Sequence, residues 1–397
     1  MFSRRSQKIL VVIVSLLLLA GCSSLRKRTP VPAELTNSAE IPGIPNTRFW
    51  GDEWPKFSMD LFERYTAEEF QANFSGIYGK PHNYLAISGG GANGAFGAGL
   101  LAGWEEAGTR PEFTMVTGIS TGALAAPFAF LGADYDSQIK KLYTTNKTQD
   151  LIKKRGVAAA FSDSIADTAP LREIIEAYIN DDMIEKIAVE HKRGRRLFIG
   201  TMQLDAGRAM IWSIGAIAVS NHPEKAKLIH DVLLASSAIP VAFPPVIISV
   251  EAGGQIYDEM HVDGGTASQV FVYPAAIDWR KVVKKLKVRG SPNVYVIRNA
   301  FLDPDFNGVT RNLVPIASRS IDSLIRTQGV GDLYQIFVLC KRDGNVFNLA
   351  YIPSDFELEP TELFDPVYMS ALYKRGFDMA KNGYRWLDAP PGLILNR

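Results

Sequence analysis

Histidine and cysteine are scarce in this chain of 397 residues, which has five of the first and two of the second. Cys22 and Cys340 are too few for a disulfide framework, and Cys340 ends the spacing Leu333, Ile336, Phe337, Cys340, one face of a helix, so it reads as a core residue. The histidines are His82, His191, His222, His230 and His261, and nothing after residue 261 can supply an imidazole. An excess of one charge is also missing: 43 Lys+Arg stand against 42 Asp+Glu, which leaves no global pull toward nucleic acid. There is no internal repeat. The apolar run Ile9–Ala20 would span roughly 18 Å as a helix, short of the ~30 Å hydrocarbon core of a bilayer.

That run sits in an informative setting. Arg4, Arg5 and Lys8 precede it and Leu19-Ala20-Gly21-Cys22 closes it with small residues, the plan of a removable export signal over residues 1–21. The same four residues resemble the lipobox of bacterial lipoproteins. The resemblance implies acylation of Cys22, palmitate being the usual acyl chain, and with Ser23 next it implies anchorage to the outer membrane of a Gram-negative cell envelope. Residues 22–48 are Pro, Ser, Thr, Asn and charge without an apolar period, which predicts a flexible tether.

From residue 49 to 397 the pattern is that of one domain. Strand-like Tyr84–Ser88, a helix over about 92–107, strand-like Phe113–Thr117 and a helix over Thr121–Leu131 alternate at a spacing that implies parallel strands. The expected fold is therefore α/β, a mostly parallel central sheet flanked by helices, with residues 134–193 as a helical insertion. Strand patterns return at 196–204, 209–213, 255–262 and 293–300, and helices around 316–341 and 366–387. Three prolines in "SSAIPVAFPPV" interrupt regular structure. Phe49, Trp50, Trp54, Phe57, Phe62 and Tyr65 form an aromatic cluster that either packs on the core or dips into a lipid interface.

The stretch "AISGGGANGAFGAG", residues 86–99, follows a strand and opens a helix. Its Gly89-x-Gly91-x-x-Gly94 spacing formally matches a dinucleotide fingerprint, but the acid that should end the second strand is absent, and Thr117-Gly118 stand in its place. What ends that strand is Gly118-Ile119-Ser120-Thr121-Gly122, a G-x-S-x-G in the strand–turn–helix setting of a nucleophile elbow. Two loops leaving neighbouring carboxyl ends bring the N–H groups of Gly90 and Gly91 toward Ser120, so the expected negative charge is an ester oxyanion rather than a nucleotide phosphate.

Ser120 needs a base. Triad hydrolases of this type place their histidine late in the chain, where this sequence has none beyond His261. Asp263, in "HVDGG", ends a strand-like run and is followed by two glycines that let the chain turn, so it is the favoured partner, with His261 the rival. A carboxylate base with an ordinary pKa near 4 predicts an acid limb well below pH 6.

"SGGGANG", "GISTG", "ASSAIPVAFPP" and "DGG" together resemble the patatin-like phospholipases over roughly residues 82–275. The resemblance implies Ser120 as nucleophile and Asp263 as base in a Ser–Asp dyad. It implies an oxyanion loop of Gly89, Gly90, Gly91 and Gly94, elbow glycines Gly118 and Gly122, and hydrolysis of acyl esters of membrane lipids with no metal or organic cofactor. Many members of that family carry Arg or Lys where this chain has Asn93, which supports the rival function of a silent lipid-binding envelope lipoprotein. Residues 276–397 lie outside the resemblance. "DPDFNG" at 303–308 copies the start of a calcium loop but has Val314 where the twelfth-position Glu belongs.

A lipid on Cys22 is the only anchor this reading provides, so Cys22→Ala is expected to release the chain from membranes. Tight association of the mutant after a salt wash would overturn it.

Overall fold

The computed structural model describes residues 28–156, 162–304, 306 and 308–393. Cys22 and the expected export signal lie outside these residues. Nine strands form the main sheet: β1 Arg48–Trp50, β2 Asn83–Ile87, β3 Met115–Ile119, β4 Arg196–Gln203, β5 Arg208–Ser213, β6 Val246–Ala252, β7 Gln255–Asp263, β8 Asn293–Arg298 and β9 Val346–Tyr351. Their order is β1-β5-β4-β3-β2-β8-β9, with β7 paired to β4 and β6. The run β4-β3-β2-β8-β9 is parallel, while β1, β5, β6 and β7 join antiparallel. This is the expected mostly parallel α/β sheet flanked by helices.

Parallel strands are covered on both faces, so β2 and β3 read as nearly unbroken apolar runs. The helices that follow them, Gly94–Glu106 and Thr121–Leu131, are buried almost throughout. Pro366–Lys381 crosses the first of these where the sequence is small: a Cβ on Gly99 would lie 2.0 Å from the Tyr373 carbonyl oxygen, and one on Gly103 2.1 Å from that of Phe377. The C-terminal third is thus built into the core. β8 lies directly against β2, beside the glycine loop.

Residues 28–48 depart from the expected tether. Glu40 and Glu251 exchange main-chain hydrogen bonds at 3.0 and 2.8 Å, and Asp258 N–H donates to the Thr29 carbonyl at 2.7 Å. Val31, Ala39, Ile41 and Ile44 are buried. The segment is a strap bound to the β6–β7 hairpin, and β1 continues it onto β5. Its apolar residues follow neither a 3.6- nor a 2-residue period because it is neither helix nor continuous strand, so composition alone suggested coil.

The strap delivers Arg48 to a buried cluster. Its guanidinium pairs with Glu259, with Nη2 to Oε1 at 3.1 Å, and donates to the Ala39 carbonyl at 2.6 Å. His261 Nε2 meets Glu259 Oε2 at 3.0 Å. Burial alone would raise the Glu259 carboxyl, but the His261 hydrogen bond and the Arg48 charge hold it down at about 2.

The aromatic cluster packs inward. Phe62, Tyr65 and Phe74 surround Phe70, with ring centroids 5.5 to 5.7 Å apart. They line a cavity of about 1070 Å³ whose floor includes Tyr84, Met115 and Arg196, near the amino ends of β2, β3 and β4.

Removing Arg48 leaves Glu259 charged, buried and short of its main partner, so Arg48→Ala is expected to lose about 3–5 kcal/mol of stability in urea unfolding. A double Arg48→Met, Glu259→Leu variant should lose much less. Equal losses in the two would show that the charge pair is not what holds the strap.

Candidate active site

Ser120 stands between β3 and the Thr121–Leu131 helix with φ 54° and ψ −125°. A non-glycine residue avoids this conformation, at a cost of order 1–3 kcal/mol. Its neighbours must be glycine because the turn is tight: a Cβ on Gly118 would lie 2.5 Å from the Gly122 carbonyl oxygen, and one on Gly122 2.2 Å from that of Ile87. The motif positions the sequence assigned to an elbow are therefore at one.

Asp263 reaches Ser120 through strand pairing. β3 runs along one edge of β4 until Ile119 faces Gly200. One residue further on β4, Thr201 faces Asp263, the last residue of β7, which arrives antiparallel along the same edge. The two strands meet end to end, and the Ser120 hydroxyl donates to the Asp263 carboxylate. Gly264 permits the turn away from this junction, since a Cβ there would lie 2.4 Å from the Gly200 carbonyl oxygen.

The end of the Lys225–Ser236 helix and the loop after it fasten both partners. Ser236 Oγ accepts the Ser120 N–H at 3.0 Å and donates to the Gly200 carbonyl at 2.7 Å, while the Ala238 carbonyl accepts the Asp263 N–H at 2.9 Å. This is the "ASSAIP" stretch of the sequence. Burial pushes the Asp263 carboxyl up to about 6, against hydrogen bonds from the Ser120 hydroxyl and, at 2.7 Å, from the Gly265 N–H. An acid limb well below pH 6 no longer follows, because the reasoning from an ordinary carboxylate took no account of desolvation.

The glycine loop faces the same point. Gly89 Cα lies beside Ser120, where a Cβ would stand 3.1 Å from Ser120 Cβ. Of the four glycines expected in the oxyanion loop, two are not available as donors. The Gly89 N–H is given to the Gln269 carbonyl at 3.1 Å, and the Gly94 N–H turns back to the Gly91 and Ala92 carbonyls. Gly94 serves packing instead, its Cα pressed against Thr121 Oγ1 and Tyr143. No hydrogen bond engages the N–H groups of Gly90 and Gly91 among the described residues.

Residues to which the sequence assigned no role orient those donors. Ser88 Oγ donates to the Gly89 carbonyl at 2.7 Å, and buried Arg298, at the end of β8, reaches the same oxygen at 3.3 Å and Ser88 Oγ at 3.1 Å. The N–H of Gly90 belongs to that peptide and in a trans amide points the opposite way from its carbonyl. Holding one end aims the other. Asn299 completes the seat, accepting the Gly97 N–H at 3.0 Å and standing so close that a Cβ on Gly90 would lie 2.2 Å from its carbonyl oxygen. Asn93 accepts a hydrogen bond from the Tyr368 hydroxyl at 2.5 Å. A positive charge does reach the loop, that of Arg298, contributed from outside the motifs.

His261 is held elsewhere. Its Nδ1 meets Thr201 Oγ1 at 3.0 Å, its Nε2 meets Glu259, and burial keeps its pKa below the usual value. With both nitrogens engaged, it leaves Asp263 as the group that touches Ser120. Among the described residues no set of His, Cys, Asp and Glu is arranged to hold a metal.

A serine on a strained elbow, hydrogen-bonded to a carboxylate and faced by free main-chain N–H groups, is the equipment of an acyl-ester hydrolase. Residues 85–276 match the model of the patatin-like phospholipase family, within three residues of the span that the motifs delimited at each end. Residues 85–276 thus form a region similar to the patatin-like phospholipases, a little under half of the chain. No curated protein matches the chain significantly. Solved structures do, among them the crystal structure of VipD from Legionella pneumophila, with 14% identity and a TM-score of 0.42 over 76% of this chain and 66% of that one. This chain therefore spans slightly under two thirds of that protein.

A buried carboxylate with a raised pKa destabilises the fold when ionised. The folded group binds its proton more tightly than the unfolded chain does, so its contribution falls as pH rises from about 4 to about 6. Asp263→Asn is thus expected to unfold at a higher temperature than wild type at pH 8, with the gap closing by pH 4. A mutant less stable at pH 8 would mean that the carboxylate is well solvated or better paired than its surroundings indicate.

Proposed function

We propose that this chain is a membrane-anchored serine esterase that hydrolyses acyl esters of phospholipids or related lipids through a Ser120–Asp263 dyad. The observation that carries this reading is the Ser120 hydroxyl on the Asp263 carboxylate, opposite the unengaged N–H groups of Gly90 and Gly91. Ser120 Oγ attacks the ester carbonyl while its proton passes to Asp263. The oxyanion takes the Gly90 and Gly91 N–H bonds, which strengthen as charge develops. Asp263 returns the proton to the leaving alcohol, and water then attacks the acyl-serine with Asp263 again as base. Anchorage through Cys22 in the outer membrane of a Gram-negative cell would keep the site near its substrate, and no cofactor is required.

Activity needs Asp263 ionised, so kcat/KM is expected to fall below a pH of about 6. An imidazole base, with an ordinary pKa near 6.5, gives a similar limb, so variants must separate the two. Asp263→Asn should lose on the order of 10³ or more in kcat while folded, whereas His261→Gln should keep turnover and lose stability. If His261→Gln is folded and as inactive as Ser120→Ala, the dyad is wrong. Failure of a fluorophosphonate to label Ser120 would instead favour the silent lipid-binding lipoprotein.

The loop has its own test. Gly91 has φ 56° and open space where a Cβ would go, so Gly91→Ala should remain folded yet lose roughly 10² to 10³ in rate. Unimpaired hydrolysis of a short ester by this variant would remove Gly91 from the oxyanion site.

A further inference from the structure

Exposed apolar side chains stand on two segments that are joined to the active site. The helix Leu313–Asp343 has two unlike parts. From Leu333 onward Leu333, Ile336, Phe337 and Cys340 are buried in the core. Before that, Leu313, Ile316, Ile321, Leu324 and Ile325 are exposed, Leu313 to 83% and Leu324 to 69%. At 100° per residue these five fall within one half of the helix, and Arg319, Asp322 and Arg326 within the other. A helix whose apolar half is exposed among the described residues and whose polar half carries arginine is built to lie in a lipid interface.

This arm is attached to the active-site loop. Gln328 Nε2 donates to the Ala267 carbonyl at 2.7 Å, and Asp332 accepts the Gln269 N–H at 2.6 Å. A Cβ on Gly329 would touch the Arg298 guanidinium that faces the glycine loop. Across the site, the loop whose Ala238 carbonyl holds Asp263 continues into Ile239 and Val241. Val241 is 71% exposed at a φ of 71°, a conformation that a β-branched side chain resists, and its carbonyl accepts the N–H of exposed Ile165 at 3.0 Å.

Charge selects among lipid surfaces. Residues 309–326 contain Arg311, Arg319 and Arg326 against Asp322 alone, whereas residues 355–365, on the Tyr368 side, contain five carboxylates. A negative bilayer attracts the first and repels the second. We propose that the arm formed by residues 309–325, with the Ile239–Val241 loop, docks on an anionic lipid bilayer and seats the mouth of the Ser120 site against it. The proposal rests on the lipid-hydrolase reading for its purpose but not for its measurement.

The test uses the full chain with Cys22→Ala and Ser120→Ala, so that neither an anchor nor turnover intervenes. A single thiol introduced by Leu324→Cys, or by Arg280→Cys at the amino-end side of the sheet, takes an environment-sensitive nitrobenzoxadiazole label, Cys340 being buried. Vesicles of phosphatidylethanolamine with phosphatidylglycerol are expected to shift the emission to the blue at 324 and not at 280. No shift at 324, or equal shifts at both, would overturn the proposal. So would a blue shift at 324 that grows with protein concentration without vesicles, because the face would then join two copies of the chain. In the otherwise wild-type chain, Leu324→Glu with Ile325→Glu should lower hydrolysis of vesicle phospholipid about tenfold or more, leaving hydrolysis of soluble p-nitrophenyl butyrate unchanged. If the wild type cleaves neither substrate, the hydrolase reading fails while the label still reports on docking.

Discussion

Two strands that compete for one edge of β4 create the site. β3 occupies the edge as far as Gly200 and β7 takes it from Thr201 onward. Their ends cannot both continue, so each chain must turn out of the sheet at the junction, and the side chains at the two turns are Ser120 and Asp263. The distance between Ser120 and Asp263 is set by hydrogen bonds of a sheet instead of by mobile loops, which is where such geometry is best kept. The surrounding glycines at 118, 122 and 264 follow from this collision.

The arrangement is locally costly. Ser120 keeps an unfavourable backbone, and Asp263 keeps a charge in a place that favours its neutral form. These costs are sustained by neighbours that have no alternative position. Ser236 bridges the elbow to β4, and β8 places Arg298 and Asn299 behind the glycine loop. A base lifted toward neutrality is also a stronger proton acceptor than an ordinary carboxylate. The environment that destabilises Asp263 thus suits it to take a proton from a hydroxyl.

Much of this was legible because the residues at the junction obey short-range rules. Glycines spaced around one serine and an aspartate before two glycines are local patterns. The strands at 83–87, 115–119 and 196–203 announced themselves as apolar runs. β6 did not, although Val246–Ala252 alternates cleanly between buried and exposed, because the prolines immediately before it read as an interruption of regular structure. Gly89 and Gly94 looked like donors because spacing cannot tell whether an N–H is already engaged. Arg298, Asn299 and Gln269 act through register and long-range packing, which leave no mark on their immediate neighbours in the chain.

The strap of residues 28–48 bears on where the protein can be cut. A fragment begun at residue 82, where the motifs start, would contain every group that touches Ser120. It would also lose β1, expose the outer edge of β5 and strand Glu259 in the interior without Arg48. Since Glu259 holds His261, and His261 lies two residues before Asp263 on β7, the damage would travel along one strand to Asp263 itself. The smallest autonomous unit is therefore larger than the set of residues that define its chemistry, and it includes the strap, whose Arg28 guanidinium grips Asp205.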